Sequence, residues 1–138
     1  MDSFKKLFLI LLLFGLIPQG VSQGQTPEPV VHAVLFFSPA CQHCHQVIQE
    51  HLIPLQNQYG DRLVILGLDT SLQWANNLYW EALRHYKVPE EDWAVPFLLV
   101  GEEVLVGGFE IPARFPTIIQ EGLAAGGIDL PRYPALVT

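Results

Sequence analysis

Both cysteines of the chain fall within five residues, Cys41-Gln42-His43-Cys44-His45, and this spacing limits the possible folds more than any other feature. A bridge between positions three apart closes too short a loop to staple a fold, and no third cysteine remains to pair with either one. The fold must therefore come from an apolar core, and the pair reads as a reactive dithiol rather than a structural clamp. Half of the residues are hydrophobic and 15% are charged, which supplies such a core. A length of 138 residues allows one domain and little else. The formal charge of -7 has the wrong sign for neutralising phosphates, which argues against nucleic acid as a partner.

The compartment is read from the N-terminus. Lys5 and Lys6 precede an apolar run from Leu7 to Ile17, followed by Pro18, Gly20, Val21 and Ser22. Eleven residues are too few for the roughly 20 that a membrane span needs, and small residues follow at plausible cleavage positions. Residues 1–22 therefore read as a secretory signal peptide cut near Ser22, with an uncleaved anchor as the rival and the only contact with a membrane. No cysteine follows the run to carry a lipid. Loss of the leader leaves five basic against thirteen acidic residues. Residues 23–29 read as a linker, 30–127 as the domain and 128–138 as an extended, loosely attached tail.

Within the domain, Val30 to Phe37 is nearly all apolar, with His32 the one polar residue, as suits a central strand covered on both faces. After Ser38-Pro39, residues Cys44, Val47, Ile48, Leu52 and Leu55 recur at helical spacing up to Tyr59-Gly60, predicting a helix bent near Pro54. Leu63 to Leu68 reads as a second buried strand, so strand, helix and strand form a parallel crossover unit. Leu72 to Tyr86 fits a helix ended by Lys87 and Pro89. Phe97 to Val100 and Val104 to Val106 read as a hairpin closed by Gly107-Gly108. Ile111, Phe115, Ile118, Ile119 and Leu123 mark a last helix with Pro112 in its first turn and Gly126-Gly127 as its stop; Pro116 fits only if it too lies in the first turn.

The dithiol lies between the first strand and the first helix. There the Cys41 sulfur faces unsatisfied backbone N–H groups and the positive end of the helix dipole, both of which favour thiolate. Cys41 is expected to attack, and Cys44, one turn further in, to resolve the mixed disulfide.

The order strand, C-x-x-C, helix, strand, helix, Val-Pro, hairpin and terminal helix over residues 30 to 126 resembles the thioredoxin-fold thiol-disulfide oxidoreductases. The resemblance implies an α/β fold with a central four-stranded mixed sheet flanked by helices, needing no organic cofactor and no metal. The segment from Trp93 to Val100, with Val104 to Gly108, resembles that family's proline segment and following hairpin. It implies a cis Val95-Pro96 bond beside the cysteines, and a backbone that pairs with an extended substrate, with Trp93 as a candidate wall of the groove. Gln42-His43 resembles the x-His pair of bacterial Dsb oxidases and protein disulfide isomerase. It implies that His43 stabilises the thiolate and tilts the pair toward oxidation or isomerisation.

One departure stands out: where thioredoxins and isomerases carry a buried acid six residues before the first cysteine, this chain has Leu35. Glu110-Ile111-Pro112 and the stretch from Gly122 to Pro131 further resemble thioredoxin-like domains found with bacterial vitamin K epoxide reductase homologues. That likeness implies a membrane quinone-linked thiol oxidoreductase as redox partner. Exported proteins with thiols or disulfides are the implied substrates, and the protein itself is expected to be an extracytoplasmic monomer.

Three other readings of the same residues stand beside this one. C-x-x-C-H is also the attachment pattern of c-type haem, with His45 as proximal ligand and His32, His51 or His85 as the only distal choices apart from Met1 in the leader. Cys41, Cys44, His43 and His45 could bind zinc or copper, although such closely spaced ligands close a tetrahedron poorly. A thioredoxin-like domain could also hold partners without catalysis. His32, His51 and His85 are otherwise ordinary core or boundary residues, Trp74 and Trp80 core or boundary anchors, and Glu90-Glu91-Asp92 a solvated loop.

Overall fold

The computed structural model describes residues 27–133; the proposed leader and its cleavage site lie outside them. The apolar run forms β1 (Val31–Phe37), whose residues are buried on both faces apart from the half-buried His32 and Phe37. β1 pairs in parallel with β2 (Leu63–Asp69) and antiparallel with β3 (Phe97–Val100), which pairs antiparallel with β4 (Glu103–Val106). The sheet order is β2-β1-β3-β4. A two-residue turn joins β3 to β4, and its one positive φ, +58°, falls on Gly101, as a type II′ turn requires. Topology and helix placement give a mixed, four-stranded, thioredoxin-like α/β fold.

β2 corrects one expectation. It is an edge strand, and Val64 and Leu66 are 42% and 41% exposed. Leu63 and Leu68, on opposite sides of the sheet, are buried and Ile65 is half-buried against the core, while the other apolar positions of the run face outward.

The helix after β1 runs as α1 (Gln42–Val47), a wide π turn (Ile48–Leu52) and α2 (Ile53–Tyr59). Pro54 has no N–H for the carbonyl four residues back, and its ring would crowd it. The widened turn, in which the Ile53 N–H reaches the Ile48 carbonyl, comes just before it, so the distortion takes the form of a π bulge.

α3 (Gln73–His85) packs Ala75, Tyr79, Ala82 and Leu83 against Val34, Phe36, Phe97 and Leu99 on one face of the sheet. It ends with Lys87 at φ 52° and Val88 N–H on Leu83 O, a Schellman cap with lysine where glycine is usual. The opposite face of the sheet carries Val31, Ala33, Leu35, Leu98 and Leu105. It is covered by Val47 and Leu52 and by Ile111, Phe115, Ile119 and Leu123 of α4 (Gly107–Ala124).

α4 starts earlier than the sequence pattern indicated. It begins at Gly107, so Pro112 and Pro116 both lie inside it rather than in its first turn. The Glu110 carboxylate accepts the Val106 N–H at 2.9 Å, tying down the entry to the helix. Four fully buried or nearly buried apolar side chains on its inner face outweigh the two lost backbone hydrogen bonds.

The tail reading also changes. Ile128 N–H bonds Val30 O at 2.9 Å, His32 N–H bonds Ile128 O at 2.8 Å, and Ile128 bridges Val31 in parallel. Tyr133 is 1% exposed. From Ile128 to Tyr133 the chain is latched onto β1 and the core, while residues 134–138 lie outside the described residues; two apolar residues among prolines were too weak a signal to show the latch.

Candidate active site

Ser38 O accepts the Cys41 N–H at 3.0 Å, so the chain turns sharply out of β1 and delivers Cys41 to the N-cap of α1 in extended conformation. Its sulfur accepts the Cys44 N–H at 3.1 Å. This occupies one of the donors that a helix start leaves without partners, and such a bond strengthens when the sulfur is anionic. Cys41 and Cys44 are disulfide-bonded, with Cα atoms 5.2 Å apart. Cys41 is partly exposed, whereas Cys44 is 1% exposed. The accessible sulfur is thus the one at the helix start, and the other lies beneath it.

The Val95-Pro96 segment faces this pair. Its peptide bond is cis, and the Val95 carbonyl oxygen lies 3.6 Å from Cys41 Sγ. The Pro96 carbonyl accepts the Gly107 N–H at 2.8 Å, which ties the segment to the start of α4. Gly108 lies against the His43 side chain, so that a Cβ added there would sit 3.8 Å from His43 Cβ. The Cys41–Cys44 turn thus meets Val95-Pro96 at the partly exposed Cys41 sulfur and Gly107-Gly108 at His43.

The other expected site residues are placed less directly. His43 is exposed on α1 and, among the described residues, forms no hydrogen bond with Cys41. Trp93 is 40% exposed. Its ring stacks edge-on against Trp80 at 5.3 Å, and its Nε1 donates to Val88 O at 3.0 Å, so it braces the loop ahead of Val95. Trp74, Trp80 and Trp93 are all partly exposed rather than core. His32 is a satisfied boundary histidine, its Nδ1 3.0 Å from Ile128 O. Glu90–Asp92 forms an exposed 3-10 turn.

Leu35 is 3% exposed within the apolar cluster formed with Val47, Leu52 and Leu98. Among the described residues no charged side chain is fully buried, so no buried carboxylate stands behind the dithiol to take a proton from Cys44. The haem reading does not fit. Attachment through both sulfurs needs both accessible, yet Cys44 is buried, and the His45 ring nitrogen sits 2.6 Å from Pro39 O. Among the described residues no three His, Cys, Asp or Glu side chains group into a metal site.

Sequence reasoning missed Tyr79, which it did not separate from the other apolar positions of α3. Its hydroxyl donates to Ala94 O at 3.3 Å, and its ring meets Phe97 edge-on at 5.5 Å. Burial holds its phenol above the ordinary tyrosine range, so the hydroxyl keeps its proton and its role as donor.

No family model and no curated protein matches the chain. Among solved structures, it is similar to a chain from a study of the thiol-resolving mechanism of yeast mitochondrial 1-Cys peroxiredoxin via glutathione/thioredoxin systems (16% identity, TM-score 0.46, covering 68% of this chain and 80% of that one). A malarial protein is 22% identical at TM-score 0.43, covering 67% of this chain and 94% of that one. The holo form of glutaredoxin C1 from Populus tremula x tremuloides is 22% identical at TM-score 0.41, covering 67% of this chain and 82% of that one. By its own strand order the chain has a thioredoxin-like fold, with a Cys-x-x-Cys disulfide at the start of its first helix.

Proposed function

We propose that the protein is a thiol-disulfide oxidoreductase working through Cys41 and Cys44 on exported proteins outside the cytoplasm, as an oxidase or isomerase rather than a general reductase. The observation that carries the reading is the asymmetry of the pair: a disulfide whose accessible sulfur sits at a helix N-cap, with a backbone carbonyl 3.6 Å away and its partner sulfur buried.

In the oxidising direction a substrate thiolate attacks Cys41 Sγ. A substrate–Cys41 bond forms, the Cys41–Cys44 bond breaks, and Cys44 leaves as thiolate and takes up a proton. A second substrate thiolate then attacks the substrate sulfur of the mixed disulfide, and Cys41 leaves as thiolate. Two electrons have passed from substrate to protein, and the substrate holds the new disulfide. The N-cap position and the Cys44 N–H favour Cys41 as that leaving group.

Isomerisation starts from the reduced pair: the Cys41 thiolate attacks a substrate disulfide, one substrate sulfur leaves as thiolate, and a substrate thiolate then attacks the other substrate sulfur of the mixed disulfide and expels Cys41, with no net transfer of electrons. Reduction needs Cys44 to lose its proton, and Leu35 offers no base for it, so efficient general reduction is not expected. Reoxidation of the pair by a membrane quinone-linked thiol oxidoreductase would complete the cycle. Pairing of an extended substrate with the Val95 backbone would hold its sulfur at Cys41.

Cys44→Ser provides the test. The variant should accumulate mixed disulfides with substrate through Cys41 and release them on reduction, while Cys41→Ser should trap none. Equal trapping by both variants would overturn the assignment of roles.

A further inference from the structure

Resting on that reading, we propose that Tyr79 is a positioning residue for protein substrates: it fixes the Val95 carbonyl at Cys41 and thereby sets how well an extended peptide engages, without touching the reacting sulfurs.

Val95 lies in a stretch without regular structure, between the Glu90–Asp92 turn and β3. Tyr79 grips both sides of the Val95-Pro96 pair. Upstream its hydroxyl donates to Ala94 O at 3.3 Å, and downstream its ring packs edge-on against Phe97 at 5.5 Å and 88°. The same ring meets Phe36 of β1 at 5.6 Å and is 7% exposed. It is thus anchored to the strand that leads into Cys41. A single side chain couples the strand that leads into the nucleophile to the segment that a peptide backbone would pair with. Trp80 continues the stack, edge-on to Tyr79 at 5.6 Å and to Trp93 at 5.3 Å, closing a chain of rings along the loop from Trp93 to Phe97. On the far side, Gly107 N–H on Pro96 O holds the segment independently, so loss of the tyrosine hydroxyl should let Ala94 and Val95 shift without unfolding β3.

Tyr79→Phe keeps the ring and removes only the hydroxyl. The oxidised full-length protein and the variant are compared on two dithiols, with glutathione disulfide in excess as the oxidant: an extended peptide carrying two cysteines, and dithiothreitol, which has no peptide backbone. The variant should lose about five-fold in kcat/KM on the peptide through a higher KM, as expected for one hydrogen bond. Its rate on dithiothreitol and the midpoint potential of the Cys41–Cys44 pair should stay unchanged. Equal losses on both substrates would mean a merely structural role and overturn the proposal, as would an unchanged KM for the peptide. A wild-type protein that oxidises neither dithiol would instead overturn the functional reading on which this rests.

Discussion

Placing a carboxylate at Leu35 tests how dry the space behind the dithiol is. In β1, Leu35 lies opposite Gly67 on β2 and Leu98 on β3, packs in the cluster with Val47 and Leu52, and is 3% exposed. Leu35→Asp forfeits the burial of a leucine side chain, about 1.5 to 3 kcal/mol. It also strands a carboxyl with no buried polar partner, about 1 to 3 kcal/mol more. The expected loss is about 2.5 to 6 kcal/mol out of a total near 5 to 15 for an ordinary domain, read as a drop in urea midpoint at unchanged slope. Burial raises the folded pKa of the introduced acid above its unfolded value of about 3.9. The folded state then binds more protons, so the penalty is smallest below pH 4 and grows as pH rises toward the folded pKa. The counterargument is a groove of about 220 Å³ that Leu35 shares with Phe37, Ile48, Leu52 and Ile65, through which water could reach the carboxyl. A loss under 1 kcal/mol that does not change between pH 4 and 8 would show that it does, and would refute the account of an unassisted Cys44.

Further expectations follow from the latch, the tyrosines and the dithiol. Gly126 and Gly127 have φ of +104° and +107°; a Cβ on Gly126 meets nothing within 4 Å, whereas one on Gly127 would lie 2.6 Å from Val30 O. Gly126→Ala should cost about 1 to 3 kcal/mol of backbone strain and Gly127→Ala at least about 1 to 3 kcal/mol more for the clash; equal urea midpoints would show that the latch yields freely. Burial raises the phenols of Tyr79 and Tyr133 above the ordinary value of 10. Their contribution is intact below pH 10 and lost as pH climbs through the folded values, so the Tyr133→Phe variant should unfold at a higher pH than the wild type in an alkaline titration followed by circular dichroism. After reduction, Cys41 should react with iodoacetamide before Cys44, as peptide mapping would show; the reverse order would exchange their roles.

What could be read from the residues, and what could not, divides along physical lines. β1, the helix beginning at the cysteines and the hairpin of Phe97 to Val106 were legible because apolar periodicity and turn residues agree there. The exposure of Val64 and Leu66 was not, because a run of apolar residues looks the same on a covered strand and on an edge. The π turn was readable only as a bend at Pro54, since the sequence shows which hydrogen bond is lost but not where the helix widens. The start of α4 at Gly107 runs against propensity and is sustained by Ile111, Phe115, Ile119 and Leu123 packing on the sheet, a tertiary effect. The dithiol itself was legible from spacing, and its asymmetry followed from its place at the helix start. Tyr79 was hidden because a tyrosine at a core spacing reads as core, and only the partner of its hydroxyl at Ala94 distinguishes it.

The measurement closest to the central claim is a redox titration of the Cys41–Cys44 pair, following the thiol content by mass shift after alkylation at a series of glutathione potentials. The account predicts one reversible two-electron transition more oxidising than about -200 mV, on the Dsb and isomerase side of a family range from about -270 to -120 mV. A transition near -270 mV would turn the protein into a reductase. Cysteines that do not pair and re-pair reversibly would contradict disulfide exchange as its chemistry.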